Sequence, residues 1–254
     1  MLERVLARDR TILLAGIVIV SALAWAYTAR EAWEMEETHA GMDMTGMLMT
    51  AWTPRDALLM FLMWTVMMVA MMTPSVAPVV LIYGLHSRIL KQDNRPYAPA
   101  SAFLAGYLLA WTGFSILATA AQWGLQKAAL LSMMMEPVSK VLPGIVLLVA
   151  GIYQWTPLKH ACLRHCRGSI TALVEHWKPG IGGALSMGIR HGAYCTACCW
   201  CLMALLFAVG VMNLLWVAAL TIFVLAEKAA PRGDILARVA GILLAGAGLW
   251  FLGG

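Results

Sequence analysis

Long apolar stretches separated by short polar segments recur along the whole chain of 254 residues. Seven of these stretches hold almost no charged residue, at about 11–29, 57–83, 99–123, 141–157, 189–209, 211–227 and 235–253. Segments of this length form helices in hydrocarbon, because lipid offers no hydrogen-bond partner to an unpaired backbone group. The pattern therefore predicts an all-α fold, a polytopic integral membrane bundle of about seven transmembrane helices.

Local breakers and small residues refine these elements. Pro74 and Pro78 fall inside the second stretch, where each removes a helical hydrogen bond and is expected to kink or open the helix. The turn-prone sequence at 178–183 is expected to break any helix. Four small residues recur at helical spacing in the last stretch and predict close helix packing there. They are Ala237, Gly241, Ala245 and Gly248.

Composition and charge placement agree with a membrane protein. The chain is 61% hydrophobic and 12% charged, whereas soluble domains carry about 25% charged residues. Four basic residues fall in the segments placed outside, namely Arg30, Arg55, Lys127 and Lys140. Thirteen fall in the segments placed inside, namely Arg4, Arg8, Arg10, Arg88, Lys91, Arg95, Lys159, Arg164, Arg167, Lys178, Lys228, Arg232 and Arg238. This asymmetry predicts a cytoplasmic N-terminus in a bacterial inner membrane.

We expect one transmembrane domain over residues 1–254. Residues 1–55 would form an N-terminal helix with an outer loop rich in methionine and histidine, and residues 56–254 a cysteine-containing core. The net charge of +5 reflects topology, and no basic stripe interleaved with aromatic residues indicates a nucleic-acid partner.

Four of the six cysteines lie within seven residues. On a helix, His191, Cys195, Cys198 and Cys199 share one face, whereas Cys201 points elsewhere. Thiolates and imidazole on one face favour a soft metal such as Cu(I), with zinc or an iron–sulfur cluster as alternatives. The competing interpretation is that these cysteines are small apolar fillers. If the helix enters the hydrocarbon near residue 190, Cys195 lies about 7 Å deep; if it begins near residue 183, about 18 Å.

The other two cysteines, Cys162 and Cys166, are spaced for one face of a helical turn. His160 and His165 lie beside them and are further candidate ligands. The alternative is a basic interfacial loop with incidental thiols. Because both cysteine groups fall near the reducing cytoplasmic side, thiolate ligands are favoured over disulfides.

Methionine is unusually frequent, with 18 residues. Met60, Met63, Met67 and Met71 form a stripe along one helix face in the second apolar stretch. Thioethers bind Cu(I) but hardly bind zinc, so the stripe is a candidate copper relay, with routine packing as the alternative. The segment at 30–55 is expected to be an outer loop that captures copper. Its candidate ligands are His39, Met42 and Met44.

Charged residues near the apolar stretches need partners, so we expect Glu227 to pair with Arg190 across the bundle. No serine-hydrolase elbow, Walker loop, dinucleotide fingerprint or HExxH motif occurs. No catalytic residue is therefore assigned.

The motifs at 63–74, 153–159, 192–200, 210–213 and 227–228 resemble those of bacterial integral membrane proteins described as predicted metal-binding, a domain of unknown function. The resemblance covers residues 55–254. It implies a multi-helix membrane fold and a metal site whose ligands would be Cys162, Cys166, Cys195, Cys198 and Cys199. Neither Cys201 nor the 30–55 segment is part of the motifs that carry this resemblance.

The sequence thus favours a membrane protein that binds Cu(I) for transport, homeostasis or delivery to a membrane metalloenzyme. One alternative is a membrane redox protein or accessory subunit of a metal-dependent oxidase or monooxygenase; another is a structural scaffold with inert cysteines. The expected partners are the lipid bilayer, the metal ion and a membrane metalloenzyme or metallochaperone, with an oligomer left open.

Overall fold

The computed structural model describes residues 2–41, 52–93, 96–132, 135–167 and 177–253, without the side chains of residues 2–9, 36 and 38–41. These residues form nine helices and no strand beyond one isolated bridge between Leu131 and Pro137. The helices are α1 (Leu2–Gly41), α2 (Pro54–Gln92), α3 (Ala100–Lys127), α4 (Val141–Tyr153), α5 (Pro157–Cys166), α6 (Gly180–Ala204), α7 (Leu206–Val209), α8 (Leu214–Ala229) and α9 (Gly233–Gly253). The all-α prediction is confirmed.

Five helical segments of the described chain are long and apolar enough to cross a membrane. They are Arg10–Met35, α2, α3, Gly180–Val209 and α9. A sixth results if α4 and α5, which are bent by 70° at their junction, are taken as one broken span. The predicted stretch at 211–227 corresponds to α8, whose 16 residues are short for a span. The predicted count of seven is therefore not confirmed.

Two local predictions differ from the structure. Helix α1 continues to Gly41, so the first part of the expected outer loop at 30–55 is helical. Helix α6 begins at Gly180, inside the 178–183 sequence that was expected to break any helix. Cys195 therefore lies about 22 Å along α6 at 1.5 Å per residue, closer to the deeper of the two expected placements. Helix α2 is continuous through Pro74 and Pro78.

The backbone carbonyl that Pro74 leaves unpaired explains how α2 tolerates this proline. Proline has no N–H to donate to the carbonyl of Ala70, four residues earlier. That carbonyl accepts instead from Trp25 Nε1 at 3.1 Å and from Ser21 Oγ at 3.4 Å, both on α1. The proline thus gives α1 a docking point on α2.

Side-chain caps define the starts of three helices. Thr53 and Asp56 form a reciprocal capping box at the start of α2. The side chain of Thr156 accepts from Lys159 N–H at the start of α5, and that of Asn213 accepts from Trp216 N–H at the start of α8. The cap at Thr156, followed by Pro157, is where the chain turns from α4 into α5.

Glycines permit the closest helix crossings. A Cβ at Gly248 of α9 would lie 2.7 Å from the backbone nitrogen of Leu148 on α4, which confirms the close packing predicted from the small-residue stripe. A Cβ at Gly192 of α6 would lie 2.6 Å from the Cβ of Ala110 on α3. Helix α3 consequently packs closely against the helix that carries four cysteines.

Candidate functional site

Helices α5 and α6 bring four thiols together in the core. The 70° bend between α4 and α5 turns Cys166 towards α6, where its sulfur lies 3.6 Å from that of Cys198. The Cys195 thiol lies close enough to interact with those of Cys166, Cys198 and Cys199. All four side chains are buried. We call these four cysteines the thiol cluster.

All four thiols of this cluster are free, and two of them are hydrogen-bonded to the backbone of α6. The sulfur of Cys198 donates to the carbonyl of Cys195 at 3.1 Å, and that of Cys199 donates to the same carbonyl at 2.8 Å. No cysteine of the chain is in a disulfide. These bonds lie within one turn of the helix, so the spacing that places the residues on one face also gives their thiols a shared acceptor.

Two polar groups from other helices contact Cys195. Lys228 Nζ, at the end of α8, donates to the sulfur of Cys195 at 2.8 Å and to Ser75 Oγ on α2 at 3.0 Å. The hydroxyl of Tyr107 on α3 lies 3.1 Å from the same sulfur. An ammonium at this distance is placed to pair with a thiolate, which would otherwise be a costly buried charge. Cys195 is therefore the electrostatic centre of the cluster.

Cys162 and Cys201 lie beside the cluster and outside it. Both are buried. Cys162 interacts electrostatically with Cys198, and Cys201 with Lys159. The hydroxyl of Tyr153, at the end of α4, donates to the carbonyl of Ala197 at 2.5 Å and fixes this edge of α6. The expectation that Cys201 points away from the other α6 thiols agrees with this placement.

The three histidines named as candidate ligands lie at different places. His191 is half-buried, with its ring centroid 6.0 Å from that of Tyr107, and it interacts electrostatically with Cys195. His165 stacks on Tyr194 with ring centroids 4.5 Å apart. His160 interacts with Glu227. His191 thus interacts with the cysteine at the electrostatic centre of the cluster.

The expected pair between Glu227 and Arg190 is wrong. Glu227 Oε1 lies 2.6 Å from Lys159 Nζ, and both side chains are almost fully buried. Lys159 also donates to the side chain of Gln154. Arg190 lies instead over the ring of Tyr194, 5.9 Å from its centroid. The reason is geometric: α5 turns into the bundle beside α8, whereas Arg190 and its neighbour Tyr194 occupy the same face of α6.

The methionine stripe lies inside the bundle. Met63, Met67 and Met71 are buried in the main core, and the sulfur of Met60 accepts from Gln122 Nε2 at 3.4 Å. Ser75, the partner of Lys228, follows Met71 by four residues and so continues the same face of α2 towards the thiol cluster. Of the expected outer ligands, His39 falls in the last turn of α1 with its side chain not described, and Met42 and Met44 lie outside the described residues.

The thiols do not already form a complete coordination group. Within the described ranges, no three His, Cys, Asp or Glu side chains are arranged as a metal site. The backbone hydrogen bonds of Cys198 and Cys199 account for this, because they aim two of the four thiols at a carbonyl rather than at a common centre.

Sequence reasoning missed Lys228 and Tyr107 as neighbours of Cys195. They lie 33 and 88 residues from it in the chain, so no local spacing connects them. One feature of the sequence could have indicated Lys228. It is a cation directly after an apolar stretch, where a charge needs a partner.

Comparison with known proteins adds one finding. Residues 61–251 match the model of a protein family, PpoB2, described as a copper chaperone. No curated protein and no solved structure is significantly similar to the chain. The matched range contains all six cysteines, Lys228 and most of the methionine stripe.

Proposed function

The chain belongs to the PpoB2 family of copper chaperones, and from that premise we propose that it binds Cu(I) at the thiol cluster inside a membrane and passes it to a metalloenzyme. The observation that carries this proposal is that Cys166 of α5 and Cys198 of α6 lie with their sulfurs 3.6 Å apart in the core, next to the thiol of Cys195. Soft sulfur donors select Cu(I) over harder ions.

Lys228 supports metal binding by thiolates at the cluster. Metal-bound cysteines are thiolates, so the loaded cluster carries negative charge into a buried site. Lys228 lies against Cys195 and offsets one such charge.

Loading requires a local rearrangement of the thiols. Cys198 and Cys199 donate to the carbonyl of Cys195. On binding copper they would lose these bonds and rotate towards the ion, with Cys166 as the donor from α5. Cys162 lies on the α5 side as an additional donor, and His191 as a neighbour on α6. His160 and His165 are more peripheral candidates.

The methionine stripe suggests an entry path. Met60, Met63, Met67 and Met71 descend one face of α2 to Ser75, which contacts Lys228. Thioethers bind Cu(I) weakly and reversibly enough to hand it on, so the stripe would deliver ions from the outer end of α2 to the cluster. His39, Met42 and Met44 would capture copper at that end.

The membrane setting is part of the proposal. Five or six apolar helical segments of the described chain are long enough to span a bilayer, and the Lys/Arg asymmetry favours a cytoplasmic N-terminus. We propose one transmembrane domain over 1–254 in a bacterial inner membrane, with α8 as a short additional span. A membrane metalloenzyme or a metallochaperone would receive the copper.

Copper binding by matched cysteine variants tests the proposal. We expect Cys198→Ser to weaken Cu(I) binding at least tenfold in competition with a chromophoric Cu(I) chelator, because it removes a central soft donor. Cys201→Ser, three residues along the same helix and equally buried, serves as the control and should bind copper as the wild-type protein does.

Equal copper affinity in the wild-type protein and in Cys198→Ser would place the metal elsewhere and contradict the proposed site. A wild-type protein that binds zinc in preference to Cu(I) would contradict the copper assignment.

A further inference from the structure

Two thiols from different helices lie in contact in the core. The sulfur of Cys166, the last residue of α5, lies 3.6 Å from the sulfur of Cys198 on α6. Both thiols are free, and both side chains are buried. A disulfide holds its two sulfurs at about 2.05 Å, so the pair would have to close by about 1.5 Å, a movement that side-chain rotation can supply. The pair is therefore placed for a covalent bond as well as for a metal.

The other thiols of the cluster are less well placed for such a bond. Cys195, Cys198 and Cys199 lie on adjacent turns of α6, where the regular backbone already fixes their separations. Cys195 also interacts with Cys166, but its sulfur accepts from Lys228 Nζ at 2.8 Å and is held by that contact. The contact between Cys166 and Cys198 joins two separate helices and has no such restriction.

Burial of the pair favours a small oxidant. The side chain of Cys166 is 5% exposed and that of Cys198 is 1% exposed. Hydrogen peroxide is uncharged and little larger than water, so it can enter a packed site more readily than a bulkier oxidant. It also oxidises thiols through a sulfenic acid, which condenses with a neighbouring thiol to give a disulfide. A hydroperoxide is therefore the class of oxidant that suits this pair.

We propose that hydrogen peroxide converts Cys166 and Cys198 of the copper-free protein into a reversible disulfide, and that this disulfide switches copper binding off. One sulfur of the pair attacks a peroxide oxygen, the O–O bond breaks, and the products are a sulfenic acid and water. The second sulfur then attacks the sulfenic sulfur, so the S–S bond forms, the S–O bond breaks and a second water leaves. The two thiols lose two electrons and two protons, and the peroxide gains them.

The disulfide would remove two of the four donors of the thiol cluster, including the one that α5 supplies. The effect on copper rests on the proposed function, whereas the disulfide itself does not. Disulfides in a reducing compartment are usually transient, because thiol reductants reopen them by exchange. Exchange with two molecules of a small thiol would restore Cys166 and Cys198 and join the two reductant molecules as a disulfide. Copper binding would then return.

Peptide mapping by mass spectrometry tests the disulfide. Copper-free, full-length protein in detergent is treated with hydrogen peroxide, its remaining thiols are alkylated, and it is digested. We expect a cross-linked pair of peptides that fragmentation assigns to Cys166 and Cys198 and that dithiothreitol separates. Cys166→Ser should form no disulfide within the chain. Cys201→Ser, whose buried thiol lies outside the cluster, is the matched control and should form the same cross-link as the wild-type protein.

Copper affinity of the reduced and oxidised forms tests the switch. We expect the oxidised wild-type protein to bind Cu(I) at least tenfold more weakly than the reduced protein in competition with a chromophoric chelator, because two sulfur donors are lost. Reduction followed by desalting should restore the affinity. Peroxide treatment should leave the affinity of Cys166→Ser unchanged, because this variant cannot form the bond.

The two measurements separate this inference from the proposed function. Absence of a cross-link in the peroxide-treated wild-type protein, or a cross-link between other cysteines, would overturn the disulfide. A cross-link that leaves copper affinity unchanged would overturn the switch. A cross-link in a protein whose reduced form binds no Cu(I) would overturn the chaperone proposal alone. Copper binding by the reduced protein without any cross-link would overturn this inference alone.

Discussion

Lys228 is the residue whose charge bears most directly on the thiol cluster. Its ammonium reaches Cys195 on α6 and Ser75 on α2, and the Tyr107 hydroxyl approaches the same sulfur from α3. A group in this position both lowers the cost of a buried thiolate and orients the cysteine that carries it. It therefore belongs to the proposed copper site as a supporting group and not as a ligand.

Lys228→Met tests this role. Methionine keeps the length of the side chain and removes its charge, so we expect Cu(I) affinity to fall about 10- to 100-fold, the usual cost of losing a group that supports metal ligands. The measurement is competition with a chromophoric Cu(I) chelator. Lys178→Met, which removes an exposed lysine that precedes α6 and contacts Ser186, should leave the affinity unchanged. Wild-type affinity in Lys228→Met would show that the charge of Lys228 has no part in copper binding.

At the scale of residues, the sequence predicts neighbours along one helix and fails for neighbours between helices. The shared face of Cys195, Cys198 and Cys199 follows from helical periodicity. The meeting of Cys198 with Cys166 depends on the bend before α5, and the approach of Lys228 depends on how α8 packs. The pairing of Glu227 was wrong for the same reason.

The ion pair between Lys159 and Glu227 joins α5 to α8. Its nitrogen and oxygen lie 2.6 Å apart, with side chains 0% and 1% exposed. Loss of one partner of such a pair leaves an uncompensated buried charge, whereas replacement of both by apolar residues is often neutral. Because α5 also carries Cys166, the pair holds one donor of the thiol cluster in place.

Removing either charge should therefore destabilise the protein. We expect Lys159→Met to lower the free energy of unfolding by about 3–5 kcal/mol, and Lys159→Met/Glu227→Leu to recover most of that loss. Thermal unfolding in detergent measures both. Wild-type stability in Lys159→Met would show that the two charges do not act as a pair. The same conclusion would follow if the double variant were less stable than Lys159→Met.

Gly192 sets the distance between α3 and α6. Gly192→Ala would bring a Cβ to 2.6 Å from the Cβ of Ala110, so the helices must separate near the contact between Tyr107 and Cys195. We expect lower thermal stability and weaker copper binding. Gly113→Ala is the matched control, since a Cβ there meets nothing within 4 Å, and it should raise stability slightly through helix propensity. Equal behaviour of the two variants would exclude Gly192 as a spacer.

Helix existence was predictable from hydropathy, whereas several helix ends were not. The start of α6 at Gly180 overrides three glycines that locally favour a turn, because α3 packs along the helix that contains them. The extension of α1 to Gly41 takes in residues that their polar character assigned to a loop. In the first case the local sequence does not show that α3 packs against α6. In the second it does not show that α1 continues.

At the scale of the molecule, the proposed copper path runs along one helix. The methionine stripe follows α2 down to Ser75, which accepts a hydrogen bond from Lys228 beside the thiol cluster. Helix α2 would therefore connect the outer end of the bundle to the candidate metal site.

The number of spans illustrates what hydropathy omits at this scale. A window of apolar residues at 141–157 predicts one straight span, but Thr156 caps a new helix and Pro157 starts it, so the chain bends by 70°. That bend is what brings Cys166 to Cys198. The bend between α4 and α5, which hydropathy does not predict, therefore positions one cysteine of the candidate site.

X-ray absorption at the copper edge of protein loaded anaerobically with Cu(I) tests the central claim most directly. We predict a first coordination shell of sulfur alone in the wild-type protein, with fewer sulfur donors or added nitrogen or oxygen donors in Cys198→Ser. A wild-type spectrum dominated by nitrogen or oxygen ligands, or one that Cys198→Ser leaves unchanged, would contradict copper binding at the thiol cluster.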